Sequence, residues 1–183
     1  MQFEETPLKG CYVIRTTPII DHRGAFTRFF CSDELNELIR NRHIVNINFS
    51  KTAKKGNIRG MHFQYPPMAE MKFVRCIRGS VYDVVIDIRK NSPTFLKWYG
   101  LELTADSMMM LCVPEGFAHG FQVLEDSSEL LYLHTEFYSK EHESALNYSD
   151  PALSINWPLE PCIISERDIN HKSIDDKFEG VVL

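Results

Sequence analysis

Turn-forming residues recur through the middle of this chain at intervals of 10 to 13 residues, and no helical pattern fits between them. They are Arg78-Gly79, Asn91-Ser92-Pro93, Thr104-Ala105-Asp106, Pro114-Glu115-Gly116 and Glu125-Asp126-Ser127. Short strands at that rhythm argue for an antiparallel sandwich or barrel. Between Tyr82 and Ile88 the residues alternate, with Tyr82, Val84, Ile86 and Ile88 on one face and Asp83, Val85 and Asp87 on the other. The apolar run Met108 to Leu111 is too short for a helix and is closed by Pro114, so it also reads as strand. Two short helices are expected. Ser32 is a good N-cap before Asp33, Glu34 and the stripe Leu35, Leu38, Ile39. Ser165-Glu166-Arg167-Asp168 has the spacing of a capping box. No repeat or linker divides residues 1–183, which read as one mainly β domain.

Composition narrows the function classes. With 44% hydrophobic and 25% charged residues the chain is ordinary globular material rather than disordered or fibrous. Its longest run without Asp, Glu, Lys or Arg, Gly60 to Ala69, falls well short of a membrane span. A net charge of −5 argues against nucleic acid as a partner, which needs a dominant basic face. Five cysteines without a CxxC pair suggest neither a disulfide framework nor a zinc site. The amino terminus carries no apolar signal region, and a cytoplasmic location is the expectation.

Chemistry-bearing side chains gather between residues 59 and 138 inside strand-like segments. In Arg59-Gly60-Met61-His62-Phe63-Gln64, alternation puts Gly60, His62 and Gln64 on one face and Met61 and Phe63 on the other. His119 lies among small and aromatic residues in Pro114 to Phe121, and Tyr132 shares a face with His134. Lys72 interrupts the apolar run Met71 to Val74, and Lys51, Lys54, Lys55 and Arg59 form a basic stretch with Arg23 and Arg28 upstream. Taken singly, each has a bland explanation: a solvent-facing row, a buried histidine on a carbonyl, a core tyrosine, a snorkelling lysine, a solvated basic face.

Their order changes that. Asp21-His22-Arg23-Gly24, Ile58 to Gln64, Lys72 to Cys76, Asp83 to Arg89, Ser92 to Phe95 and Pro114 to Phe121 closely resemble the dTDP-4-dehydrorhamnose 3,5-epimerase family, as do Asp150-Pro151, Trp157-Pro158 and Ser165 to Asp168. The resemblance implies a cupin-type double-stranded β-helix jelly roll with a few short helices. It also implies a homodimer, no cofactor and no metal, and a nucleotide-diphospho-4-ketosugar as substrate. It further implies that His62 is the base, Tyr132 the acid on the opposite face and Asp168 the carboxylate that orients His62. Lys72 is then the cation near the developing enolate oxygen. Arg23, Arg59 and His119 match groups that hold the diphosphate and sugar, with Gln64 beside them on the His62 face. Asn46 and Asn48 fall in the segment lining the nucleotide site. Tyr138 matches an aromatic that stacks on the base, and Glu143 a nearby polar group. Arg167 stands where the family commonly has lysine.

Two departures bear on the nucleotide. Arg28 stands where the family has glutamate, and Asn46 where glutamine is usual, which leaves CDP- and GDP-linked sugars open beside dTDP. Inversion of C3 alone or C5 alone is a neighbouring reading that uses the same residues. A metal-dependent cupin would need a His-x-His pair, and His62 is followed by Phe63-Gln64. A silent sugar-nucleotide-binding cupin would have no reason to keep His62, Tyr132 and Asp168 together.

Overall fold

In the computed structural model, which describes residues 1–183, all five turn signals fall at chain reversals. The chain opens with β1 (Gln2–Glu5), β2 (Tyr12–Arg15), β3 (Ile19–Asp21), β4 (Gly24–Phe26), α1 (Asn36–Ile39), β5 (Asn46–Thr52) and β6 (Ile58–Gln64). It continues through β7 (Lys72–Arg78), β8 (Ser80–Asp87), β9 (Trp98–Thr104), β10 (Met109–Val113), β11 (Phe117–Val123) and β12 (Ser128–His134). After β13 (Glu143–Ala145) only the short α2 (Glu166–Ile169) interrupts irregular chain.

Six strands form one sheet in the order β1-β2-β10-β7-β12-β5, and five form a second in the order β13-β6-β11-β8-β9. The pairings within both are antiparallel, giving a two-sheet jelly roll of the cupin type. β3 and β4 make a separate hairpin whose six residues are all exposed.

Three apolar clusters explain why both sheets hold. Between them lie Val13, Val74, Cys76, Leu111 and Leu130 from the larger sheet against Val81, Val85, Leu103, Phe117 and Val123 from the smaller. The other face of β8, with Val84 and Ile86, and Ile88 just beyond the strand, packs under the carboxyl-terminal segment through Leu146, Leu153 and Val181. The outer face of the larger sheet is covered near α1, where Leu35 and Ile39 meet Phe73, Met110 and Leu133. Arg75, 1% exposed on that outer face, lies under the Phe29 ring at 3.7 Å.

The first expected helix is shorter than its sequence suggests. Leu35, not Ser32, occupies the N-cap position of α1, without a side-chain hydrogen bond. Packing of Leu35 and Ile39 into the outer cluster overrides the cap preference of Ser32. At α2 the expectation holds: the Ser165 side chain accepts a hydrogen bond from the Asp168 N–H at 3.1 Å.

Strand alternation places the site. On β7 the inward series runs Cys76, Val74, Lys72, and on β12 it runs Leu130, Tyr132, His134, paired across the ladder with those same three residues. The space between the sheets is therefore apolar towards one end and polar towards the other.

Candidate active site

The polar end holds a cavity of about 290 Å³ lined by Asn48, Ser50, Arg59, His62, Glu70, Lys72, His119, Tyr132 and His134, among others. A second cavity of about 160 Å³ shares Asn48, His62, Glu70 and His134 with it, and is also lined by Asn46, Gln64, Tyr138 and Glu143. The two open on the same imidazole.

Arg59 and His62 reach one cavity although simple alternation assigns them opposite faces. His119 pairs with His62 and Phe121 with Arg59, so one residue of β11 faces two of β6. This bulge corrects the expected pattern: Arg59, rather than Gly60, joins His62. Glycine is required on both sides of it. A Cβ on Gly60 would lie 2.5 Å from the Gly120 Cα, and one on Gly120 would lie 2.7 Å from the Arg59 carbonyl oxygen. Arg59 Nε then donates to Thr52 Oγ1 at 3.0 Å.

His62 and Asp168, 106 residues apart, form a pair with Nε2 and Oδ1 separated by 2.8 Å. Burial alone would raise the Asp168 carboxyl, but the His62 hydrogen bond and charge, with the Gly60 backbone, hold it below its ordinary range. It is thus a carboxylate that can only accept, so His62 donates from Nε2 and keeps its lone pair on Nδ1. A second pair lies alongside: His119 Nε2 and Asp83 Oδ1 are 2.9 Å apart. The His62 side chain is 35% exposed and the His119 side chain 6%, so a ligand in the cavity meets His62 more openly.

Tyr132 enters from the opposite sheet. Its hydroxyl lies 3.2 Å from Ser50 Oγ, and its ring meets His119 edge-on and stacks on His134. Burial pushes the phenol well above the ordinary tyrosine range, against the lowering effect of the Ser50 hydrogen bond. Tyr132 therefore remains a proton donor at neutral pH.

Beside it, Lys72 Nζ lies 2.9 Å from Glu70 Oε1, while Glu70 Oε2 lies 2.6 Å from His134 Nδ1. Burial alone would raise the Glu70 carboxyl, yet Lys72 and His134 together bring it from 4.5 to about 2. Because the folded value is depressed, Glu70 contributes stability above its unfolded pKa and loses it as pH falls towards 2. The contribution is about 3 kcal/mol at neutral pH. Chemical denaturation between pH 5 and pH 3 should show a falling stability whose slope flattens in Glu70→Gln; an unchanged slope would remove Glu70 as its source.

The remaining expected residues are distributed around this centre. Gln64 is fully engaged with backbone: Nε2 donates to the Met68 and Phe137 carbonyls, and Oε1 accepts from Ser139 N–H. It pins the loops that frame the site. Tyr138 donates to Glu143 at 2.8 Å, and Glu143 pairs with Arg167. Arg23 and Arg28 stand outside both cavities, Arg23 on Asp21 and Arg28 on Glu34 at 2.6 Å. Glu70, Asp83 and Ser50 have site partners that no motif assigned. For Asp83 a signal existed, since it interrupts the inward series Val81, Val85.

A sequence profile of the family described as dTDP-4-dehydrorhamnose 3,5-epimerase matches residues 5–176. The dTDP-4-dehydrorhamnose 3,5-epimerase of Shigella flexneri is 44% identical over 157 residues, 85% of this chain and 86% of that protein. The crystal structure of dTDP-4-dehydrorhamnose 3,5-epimerase from Elizabethkingia anophelis superposes with a TM-score of 0.91 at 40% identity, covering 97% of this chain and 98% of that one. The Legionella pneumophila dTDP-6-deoxy-D-glucose-3,5-epimerase, solved in complex with dTDP-4-keto-L-rhamnose, gives 0.91 at 34% identity over 100% of this chain and 98% of its own. Sequence and architecture thus agree over nearly the whole length, and the chain belongs to the dTDP-4-dehydrorhamnose 3,5-epimerase family.

Proposed function

We propose that this epimerase converts dTDP-4-dehydro-6-deoxyglucose to dTDP-4-dehydrorhamnose by inverting C3 and C5. The observation that carries the reading is the pairing of a carboxylate-held imidazole, His62, on one sheet with a buried phenol, Tyr132, on the other, across one cavity. A C4 ketone acidifies the hydrogens on both neighbouring carbons. His62 Nδ1 takes the proton from one face, and the C–H electron pair moves onto the C4 oxygen as an enolate. Lys72 stabilises that oxyanion, an effect worth about 3 kcal/mol. Tyr132 then delivers its proton to the opposite face of the carbon, and both groups recover their starting protonation from water before the next inversion. Arg59 and His119 hold the diphosphate and sugar, while Asn46, Asn48, Tyr138, Glu143 and Arg167 line the nucleotide end.

Arg28 gives no support to a different base, because its guanidinium is held by Glu34 on the outer segment. Solvent deuterium uptake into dTDP-4-dehydro-6-deoxyglucose, followed by proton NMR, tests the reading. Exchange at both carbons is expected. Exchange at one carbon alone would replace it with a mono-epimerase, and exchange only with CDP- or GDP-linked sugars would replace the nucleotide.

The active unit in this reading is a homodimer. Ile19, Ile20 and Phe26 on the β3–β4 hairpin are 70%, 73% and 71% exposed, and Ile47 and Phe49 on the edge strand β5 are 65% and 57% exposed. An unpaired hairpin and an apolar edge strand both gain by pairing with another copy. Arg23 rides on that hairpin and would reach the partner's diphosphate subsite. Arg23→Ala should raise KM about tenfold or more, as expected for a lost charged hydrogen bond. Co-expressing Arg23→Ala with His62→Ala should restore activity, because the mixed dimer regains one intact site. Failure to restore it would leave Arg23 without a role in the partner's site.

A further inference from the structure

Behind His62, on the side of the ring that faces Asp168, stands a second histidine that the proposed reaction does not use. His171 lies just beyond α2, its ring edge-on to His62 with centroids 6.4 Å apart. Its Nε2 is buried without a hydrogen-bond partner and lies 3.9 Å from Asp168 Oδ1. A buried, unpaired ring nitrogen costs about 1–3 kcal/mol, so something should repay it. Ligand atoms of His62, Asp168 and His171 all lie within 4.8 Å of one another.

We propose that His62, Asp168 and His171 form a binding site for a zinc-class divalent transition metal, and that a metal bound there switches off the base. Two imidazoles and one carboxylate are a donor set that suits such ions, and the remaining coordination positions fall to water. Metal–donor bonds near 2.0–2.1 Å put donor atoms about 3.3 Å apart in a tetrahedral shell. The His62–Asp168 separation of 2.8 Å and the His171–Asp168 separation of 3.9 Å bracket that value, the three donors lie within 4.8 Å of one another, and side-chain shifts of up to about 1.5 Å complete the shell. Arg167, which lines the same cavity as Asp168, is already paired with Glu143. Access is available from two sides: His62 and Asp168 line one cavity of about 330 Å³, and His171 lines another of about 440 Å³.

The consequence follows from the two ring nitrogens. Without metal, Nε2 carries the proton donated to Asp168, and Nδ1 carries the lone pair. A metal on Nε2 takes that electron pair, so a neutral imidazole must hold its proton on Nδ1. The proton moves from one nitrogen to the other, none is released, and no lone pair remains for the substrate. Asp168 and His171 line neither of the two cavities assigned to the substrate, so sugar binding is left intact. This arrangement differs from the His-x-His set of a metal-dependent cupin, and the ion here is an inhibitor rather than a cofactor.

Metal binding rests on geometry alone; only the inhibition rests on the proposed role of His62. Calorimetric titration of chelator-treated protein with Zn²⁺ should show one site per chain, and Co²⁺ should give the visible absorption of a low-coordinate complex. His171→Gln should weaken Zn²⁺ binding at least about tenfold and lose the Co²⁺ bands, while its deuterium-exchange rate in chelator stays within twofold of the parent. In the parent protein Zn²⁺ should lower kcat with KM unchanged. No Zn²⁺ uptake, or uptake undiminished in His171→Gln, overturns the site. Zn²⁺ bound through His171 that leaves kcat untouched overturns the inhibition and, separately, speaks against His62 as the base.

Discussion

His62→Ala should lower the rate of solvent deuterium exchange at C3 and C5 by about 10⁴-fold, with the protein still folded. A positioned general base is worth about 10²–10⁴ in rate, and the other carboxylate-held imidazoles of the cavity, His119 and His134, are less exposed than His62. Asp168→Asn should cost a comparable amount, about 10⁴-fold, because the amide can donate to Nε2 and so fix the tautomer that carries its proton on Nδ1, and it lacks the charge that stabilises the imidazolium. In the proposed reaction both changes act on one proton: His62 handles it, whereas Asp168 acts through His62. His119→Ala is the informative comparison. His119 has its own carboxylate, Asp83, at 2.9 Å, and could serve as a base on electrostatic grounds alone. The greater exposure of the His62 side chain, 35% against 6%, favours His62. Exchange within tenfold of the parent in His62→Ala, together with its loss in His119→Ala, would transfer the base to the second pair.

What the sequence makes legible follows from the range of each interaction. Turns are local, and all five marked turns fall at reversals. Strand parity is also local, so Tyr132 and His134 share a face as their spacing requires. Parity fails at β6, where the bulge opposite Gly120 turns Arg59 into the cavity beside His62. The failure depends on a strand nearly sixty residues away, beyond the reach of any pattern within β6. For the same reason the His62–Asp168 pair, 106 residues apart, emerges from family resemblance and not from spacing. Asp83 and Glu70 illustrate an intermediate case. Each is an acid at an inward position of an otherwise apolar or cationic stretch, which marks it as partnered without revealing the partner. Ser32 shows the converse, a good local cap overridden where Leu35 and Ile39 bury themselves against Phe73 and Met110.

The acid should separate from the base in Tyr132→Phe. Inversion at C3 and C5 is expected to fall by about 10²–10³-fold, while deuterium exchange with retained configuration stays within tenfold of the parent. His62 can remove a proton and return deuterium to the same face whether or not a donor waits opposite; only inversion needs the phenol. Phenylalanine preserves the ring that stacks on His134 and meets His119 edge-on, so the cavity wall survives. The hydroxyl's loss leaves Ser50 Oγ without its partner, at a cost of about 1 kcal/mol in stability. Proton NMR in D₂O reads both quantities at once, since incorporation and configuration are scored at the same carbon. Exchange and inversion falling together would make Tyr132 a group that assists enolisation rather than one that reprotonates. Neither falling would assign the opposite-face proton to water admitted through the cavity mouth, and the burial that keeps the Tyr132 phenol protonated would then serve packing alone.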